Sequence, residues 1–267
     1  PIDDQFAKSQ ALTIGADCPN PFHAASIFNI SGMSYGAISK PAVQALSKGA
    51  KDAGLWMNTG EGGLSPFHLE GGADIVFQIG TAKFGVRDEN GNLNDEKLRT
   101  MAAHETVRMF EIKLAQGAKP GKGGILPGAK VTKEIAQIRG LNVGQDGISP
   151  NRHREVNSWD DLLDLIAHVR GVTGKPVGIK TVVGAEDAIE DLFATITRRG
   201  ADTAPDFITI DGGEGGTGAA PMPLIDLVGM SIREALPIVA DLRDEAGLKD
   251  RIRLVASGKL VNPGDIA

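Results

Sequence analysis

Glu111 and Lys113 stand two residues apart inside VRMFEIKLA, Val107 to Ala115. Residues spaced by two in a strand face the same side. A carboxylate and an ammonium therefore share one face of an otherwise apolar strand, either as a reactive pair in a crowded site or as a plain salt bridge. Lys180 interrupts a second apolar run, PVGIKTVV, Pro176 to Val183. An ammonium there is costly to bury without a partner, so it is an anion holder or a lysine reaching to solvent from a strand end. Asp211 ends a third run, DFITID, and leads into GGEGGTGAA with Gly212, Gly213, Gly216, Thr217 and Gly218. Such a loop leaves many backbone N–H groups free to surround a ligand. It does not match G-x-G-x-x-G opening a helix, so a dinucleotide site is a poor reading.

Further chemistry-bearing residues cluster in similar loops. Glu61 lies among glycines in NTGEGG, which exposes the carboxylate and permits positive φ. Gly32, Met33 and Ser34 in SGMSYG are small or slender residues just after a predicted strand. They suit a planar ligand lying on backbone, or an ordinary turn. Gln116 opens QGAKPGKGG, which lacks the G-x-x-x-x-G-K-[ST] spacing of a nucleoside-triphosphate loop. Ser257 and Gly258 follow the last predicted strand, and barrels often hold phosphate in the loops after strands seven and eight. Ser149 to His153 reads as a lid. His68, His104 and His168 lack metal-ligand spacing, so no metal site is expected. Cys18, beside Pro19, has no evident base and is a poor nucleophile.

These loops need elements to aim them. Short β-type runs alternate with amphipathic helical stretches, the mark of βα units. Strands are expected at Ser26–Ile30, Trp56–Asn58, Val107–Ala115, Pro176–Val183, Asp206–Asp211 and Ile252–Ser257. Asp74–Phe84 reads as an excursion of extended pieces. Helices are expected at Pro41–Ala53 behind a Ser39 cap, Asp95–His104, Thr132–Arg139, from Ser158 to Val169, Glu186–Arg199, and Ser231–Ala246, kinked or split at Pro237. Glycine loops follow nearly every strand, so they gather at one rim. A barrel has its site at such a rim, whereas an open sheet has it at one switch point. The expected fold is α/β, a (β/α)8 barrel of the TIM type, incomplete at its C-terminus. It forms one domain over residues 1–267, with 1–25 as a lead-in.

The bulk numbers agree with that class. The chain has 267 residues, 35 of them glycine; 41% are hydrophobic but only 4% aromatic, so the core must be aliphatic. A net charge of −6 without a basic run argues against a dominant nucleic-acid surface. No apolar run nears the length of a membrane span and no signal peptide is visible, so a cytoplasmic location is expected. One cysteine excludes an internal disulfide.

SGMSYGAIS, NTGEGGLSP, EIKLAQGAKPGKGGILPGAKV, ISP, GIKTV, DGGEGGTGAAP and RIRLVASGK occur in this order. From about Ile27 onward the chain resembles the FMN domain of glutamate synthases, most of all the stand-alone glutamate-synthase-like flavoproteins. The resemblance implies an FMN enzyme that reduces 2-iminoglutarate, formed from 2-oxoglutarate and ammonia, to L-glutamate. Met33 and Ser34 would back the flavin ring, with Gly32, Glu61, Lys113 and Gln116 around it. Glu111 and Lys180 would be catalytic beside flavin and substrate. Asp211, Gly212–Gly218, Ser257 and Gly258 would line the flavin tail. A 3Fe–4S cluster is expected only in a longer parent chain, and the eighth strand lies outside this one. Glu186 takes the place of a substrate-contacting glutamine, which sets a carboxylate against a dicarboxylate substrate. Other readings are a non-catalytic fragment that needs a partner or a second copy to complete the barrel, and a related enzyme acting on another amine or imine such as N-methylglutamate. The electron donor is not readable.

Overall fold

The computed structural model describes residues 12–266. Its centre is a parallel sheet of six strands: β3 (Trp56–Asn58), β4 (Asp74–Ile79), β5 (Val107–Lys113), β8 (Val177–Thr181), β9 (Phe207–Asp211) and β10 (Arg253–Ser257). Their spatial order is β10-β9-β8-β5-β4-β3, which follows the chain order. Helices α1 (Lys40–Ala53), α3 (Asp95–Ala102), α5 (Trp159–Thr173), α6 (Glu186–Arg199) and α7 (Ile232–Glu245) alternate with these strands; short α2 (Pro66–Leu69) and terminal α8 (Pro263–Ile266) complete the set outside the long β5–β8 connection. Residues of both edge strands, among them Trp56 and Val255, line one common cavity. The sheet is therefore curled into an open barrel and not spread flat.

Side-chain alternation explains the curl. On β5, Phe110 and Ile112 join the outer core under the helices, whereas Met109 packs with an inner cluster. On β9, Ile208 and Ile210 face out and Phe207 faces in. Apolar residues thus occupy both faces at the bottom of the barrel, as a sheet covered on both sides requires. Higher up, the inward positions turn polar: Asn58, Gln78, Glu111, Lys180 and Thr209, then Lys113 and Asp211. Gly178 keeps the inner layer closed, because a Cβ there would lie 2.5 Å from the Phe207 ring.

Two predicted elements differ from the structure. Asp74–Phe84 is no excursion: its first six residues are β4, paired along most of its length with β5. Its unbroken Ile-Val-Phe core is that of a strand buried on both faces, which lacks clean alternation. Ser26–Ile30 forms no full strand; only Ile30 bridges in parallel to Met57 of β3. The Ser26 hydroxyl bonds both the C=O and the N–H of Phe28, which diverts those groups from a ladder. Ile27 and Phe28 are left 69% and 49% exposed.

The lead-in is more than a tether. Its described part is a hairpin of β1 (Leu12–Ile14) and β2 (Phe22–Ala24), whose Ile14, Phe22 and Ala24 pack on Val76, Met109 and Phe207. It closes the lower end of the barrel interior. Cys18 is buried there, and burial, with Asp206 nearby, pushes its thiol up to about 11. A thiol so protonated is no nucleophile.

Helix caps follow the sequence. Ser39, Ser158 and Ser231 each accept a first-turn N–H, and Ser231 forms a reciprocal box with Glu234. α7 runs unbroken through Pro237. Between β5 and β8 the chain makes a rim excursion: β6 (Ile125–Leu126) and β7 (Gly147–Ile148) pair antiparallel around helix α4 (Lys133–Arg139). Among the described residues no helix is long and apolar enough to cross a membrane.

Candidate functional site

The carboxyl ends of the strands meet in a cavity of about 410 Å³. Its wall includes Gly32, Met33, Ser34, Glu61, Lys113, Gln116, Lys180, Asp211, Gly216, Thr217, Gly218 and Gly258. The glycine loops thus do gather at one rim. A deeper, more apolar cavity of about 660 Å³ adjoins it along Met33, Lys180 and Gly258, and contains Glu111 and Ser257 in its wall.

Lys180 and Asp211 form the floor. Lys180 projects inward from β8 and its Nζ lies 3.2 Å from Asp211 Oδ1. The β8–β9 register sets Lys180 opposite Thr209, so Asp211 stands two residues further toward the rim. Asp211 also accepts from Gly117 N at 2.7 Å and from the Ser257 hydroxyl. Burial works to raise the Asp211 carboxyl, but Lys180 with these donors outweighs it and holds the group below the usual carboxylate range.

Glu111 is 2% exposed, and three neutral side chains donate to its carboxylate. Its Oε1 accepts from Asn58 Nδ2 at 2.8 Å and Gln78 Nε2 at 2.6 Å; its Oε2 accepts from Thr209 Oγ1 at 2.6 Å. The expected alternative of a Glu111–Lys113 salt bridge is not what forms. Lys113 instead binds Glu61 Oε2 at 3.0 Å and Gln116 Oε1 at 2.9 Å. Burial works to raise Glu61, yet Lys113, Lys119 and the Ser149 hydroxyl hold it low.

Three predicted tail residues sit elsewhere. Gly212 and Gly213 do not line the upper cavity. A Cβ on Gly213 would come within 2.2 Å of the Gly229 carbonyl oxygen, so this glycine permits loop-on-loop packing. Ser257 spends its hydroxyl on Asp211. By contrast, a Cβ on Gly216 or Gly218 would meet nothing within 4 Å. These two glycines leave open space that a ligand can fill.

Several supporting residues were not singled out from sequence. Asn58, Gln78 and Thr209 surround Glu111; the signal was a polar residue at an inward position of each strand. His68, which lacks metal-ligand spacing in the sequence, is buried, accepts from Ser65 N and donates from Nε2 to the Met33 carbonyl at 2.8 Å. Burial lowers its imidazole pKa. It braces the Met33 turn as a neutral ring. The Ser149–His153 segment is no free lid. It is pinned by Thr81 Oγ1 on the Pro150 carbonyl and by His153 Nε2 on the Lys113 carbonyl. Glu186 is exposed in the first turn of α6 and lines neither cavity, so the predicted repulsion of a dicarboxylate is not met.

Residues 3–267 match the family described as the conserved region in glutamate synthase. The chain belongs to the glutamate synthase family. It is 48% identical over 251 residues to the glutamate synthase large subunit-like protein YerD of Bacillus subtilis, covering 94% of this chain and 47% of that one. It is 40% identical over 241 residues to the archaeal glutamate synthase [NADPH] of Methanocaldococcus jannaschii, covering 89% of this chain and 43% of that one. The chain spans about half the length of these relatives. A solved structure of a flavocytochrome b2 variant with benzoylformate superposes with TM-score 0.55 at 12% identity, over 97% of this chain and 61% of that one. That likeness concerns the fold.

Cys18 is the one cysteine of the chain, and it is buried beside the N-terminal hairpin. The chain by itself supplies no cysteine set for an iron–sulfur cluster. Among the described residues, no group of three or more His, Cys, Asp or Glu is placed to hold a metal ion.

Proposed function

We propose that this chain is the FMN-binding part of an oxidoreductase of the glutamate synthase type, which reduces 2-iminoglutarate to L-glutamate. The observation that carries this reading is the stacked polar floor. Lys180–Asp211 and a triply hydrogen-bonded Glu111 lie under a glycine-lined cavity, in a chain of this family.

The residues fit a flavin mononucleotide. The cavity volume lies in the usual range for cofactor pockets, roughly 300–1,000 Å³. The open space at Gly216 and Gly218 suits the ribityl phosphate, which their backbone N–H groups would bind. The Met33 turn, fixed by His68, offers a flat backbone surface for the ring. Lys180 and Gln78 line the same cavity and would supply donors to the ring. FMN bound there supplies the hydride.

The side chains would do the rest. Lys180 keeps a positive charge where negative charge gathers during reduction, a form of stabilisation that is often the largest catalytic term. Asp211 keeps Lys180 in place. A carboxylate offers about four lone-pair sites; three on Glu111 are used, so one remains on Oε2 to accept an N–H of ammonia or of the imine. Asn58, Gln78 and Thr209 fix its direction. The hairpin closes the bottom of the apolar lower barrel beneath Glu111.

Two tests follow from this reading. Gly216→Ala should weaken FMN binding about tenfold, the equivalent of ~1.4 kcal/mol. Thermal unfolding should stay within about 0.5 kcal/mol, since the site has room for the methyl group. Equal FMN affinity in both proteins would remove the phosphate from that loop. Second, the FMN-loaded chain, reduced under anaerobic conditions, should be reoxidised by 2-oxoglutarate only when ammonia is present. Reoxidation by 2-oxoglutarate with methylamine but not with ammonia would move the assignment to N-methylglutamate chemistry.

A further inference from the structure

The upper cavity holds more positive charge than its carboxylates offset. Glu61 is bonded to Lys113, and its charge also acts on both Lys119 and Arg139. Asp211 is taken by Lys180. One carboxylate, Glu61, therefore stands among three cations.

Lys119 is 3% exposed and Arg139 4%, and both line the cavity. Among the described residues, Lys119 Nζ has neither a hydrogen-bond acceptor nor an ion-pair partner. Burial pushes its ammonium pKa down, and Glu61 only partly opposes this. Arg139 gives Nη2 to Ser34 Oγ at 3.0 Å and to the Tyr35 carbonyl at 3.2 Å, while its Nε is buried without an acceptor. Because Ser34 Oγ accepts from Arg139, its own hydrogen is left to point at a ligand. Ser34 lines the same cavity. A buried ammonium and a hydroxyl with a spare proton, backed by a guanidinium, make a donor set that shares a single carboxylate, Glu61.

We propose that Lys119, with Ser34 turned by Arg139, is the subsite for one carboxylate of a dicarboxylate substrate; this rests on the function proposed above and names its specificity-determining residues. The same donors would suit a phosphate. Position separates the two: a Cβ on Gly62 would meet Ser34 and Arg139 and one on Gly124 would meet Glu61 and Lys119, whereas one on Gly258 would meet Gly212 of the glycine loop. The glycine loop and Gly258 are the phosphate end, and Lys119 stands toward the other. A monocarboxylate that lacks the second carboxylate would leave Lys119 buried and unpaired, which is how the site would reject it.

The test is calorimetric titration of the chain with glutarate, butyrate and, separately, FMN, for the unaltered protein and for Lys119→Met and Lys119→Arg. Glutarate should bind more tightly than butyrate. Lys119→Met should weaken glutarate about tenfold to a hundredfold, the usual value of one charged hydrogen bond. Lys119→Arg should restore part of that loss, and FMN affinity should stay within about twofold. Thermal unfolding of each variant shows that the fold is retained. Equal glutarate affinity in Lys119→Met and the unaltered protein would overturn the proposal. So would a loss confined to FMN, which would assign Lys119 to the phosphate, or no preference for glutarate over butyrate. Lys119-dependent glutarate binding without any FMN binding would keep the subsite and remove the flavin reading.

Discussion

Replacing Lys180 with Met is expected to lower turnover of the FMN-loaded chain by about a hundredfold to a thousandfold, the usual cost of removing one preorganised charge donor. The same change should destabilise the fold by about 3–5 kcal/mol, because Asp211 would stay buried without its counter-charge. These two effects can be separated. Lys180→Met combined with Asp211→Asn removes both charges, so most of the stability should return. Activity should not return, since no positive charge would face the ring. Recovery of turnover in the double variant would show that Lys180 serves only Asp211. Acid should act on this pair in a defined direction. The Asp211 carboxyl lies below its ordinary value in the folded chain. Its contribution is present above about pH 4, near the unfolded value. It is lost as pH falls through the lowered folded value.

The second large effect lies at the other end of the barrel. Asp206 is 1% exposed and accepts from Arg170 Nε at 3.0 Å, Arg251 Nη1 at 2.7 Å and Val177 N at 2.7 Å. It joins the starts of β8, β9 and β10, since Arg253 N also bonds the Asp206 carbonyl. Asp206→Ala would leave two largely buried guanidinium groups facing one another. A loss of about 3–5 kcal/mol is expected for breaking such a buried pair. At roughly 2–4 °C per kcal/mol for a chain of this size, the midpoint of thermal unfolding should fall by about 10 °C. Asp206→Asn, which can still accept from Val177 N, should fall less. FMN affinity measured well below the midpoint should not change, because the cluster lies at the ends of the strands away from the rim. A shift under about 2 °C would mean that the arginines find other partners.

Much of the barrel was readable because alternation has a simple physical cause. Glu111 and Lys113 are two apart, and both do point inward. Lys180 could be recognised as costly, and that cost required a partner. Naming Asp211 as the partner required the register between β8 and β9, which no single strand carries. Local spacing suggested that Lys113 would meet Glu111; the turn after β3 brings Glu61 closer instead. β4 was missed as a full strand because a strand buried on both faces shows no period. With it went Gln78, one of the three donors to Glu111.

The glycine loops show a different limit. Composition says that a backbone must come close to something, without saying to what. Gly213 approaches Gly229, whereas Gly216 faces open space. Only the folded geometry separates those two cases. Lys119 and Arg139 lie in the excursion between β5 and β8, where no period exists to assign a side chain to an interior. Their burial around one shared carboxylate, Glu61, is visible only in three dimensions.

The central claim is that the glycine-rimmed cavity over Lys180 and Asp211 holds FMN. The most direct test is titration of FMN with the purified chain, following flavin fluorescence and the visible absorption of the cofactor. Saturable one-to-one binding is predicted, weakened by Gly216→Ala and by Lys180→Met but not by Asp206→Asn. FMN fluorescence that stays unchanged with excess folded chain, or binding indifferent to both Gly216 and Lys180, would contradict it.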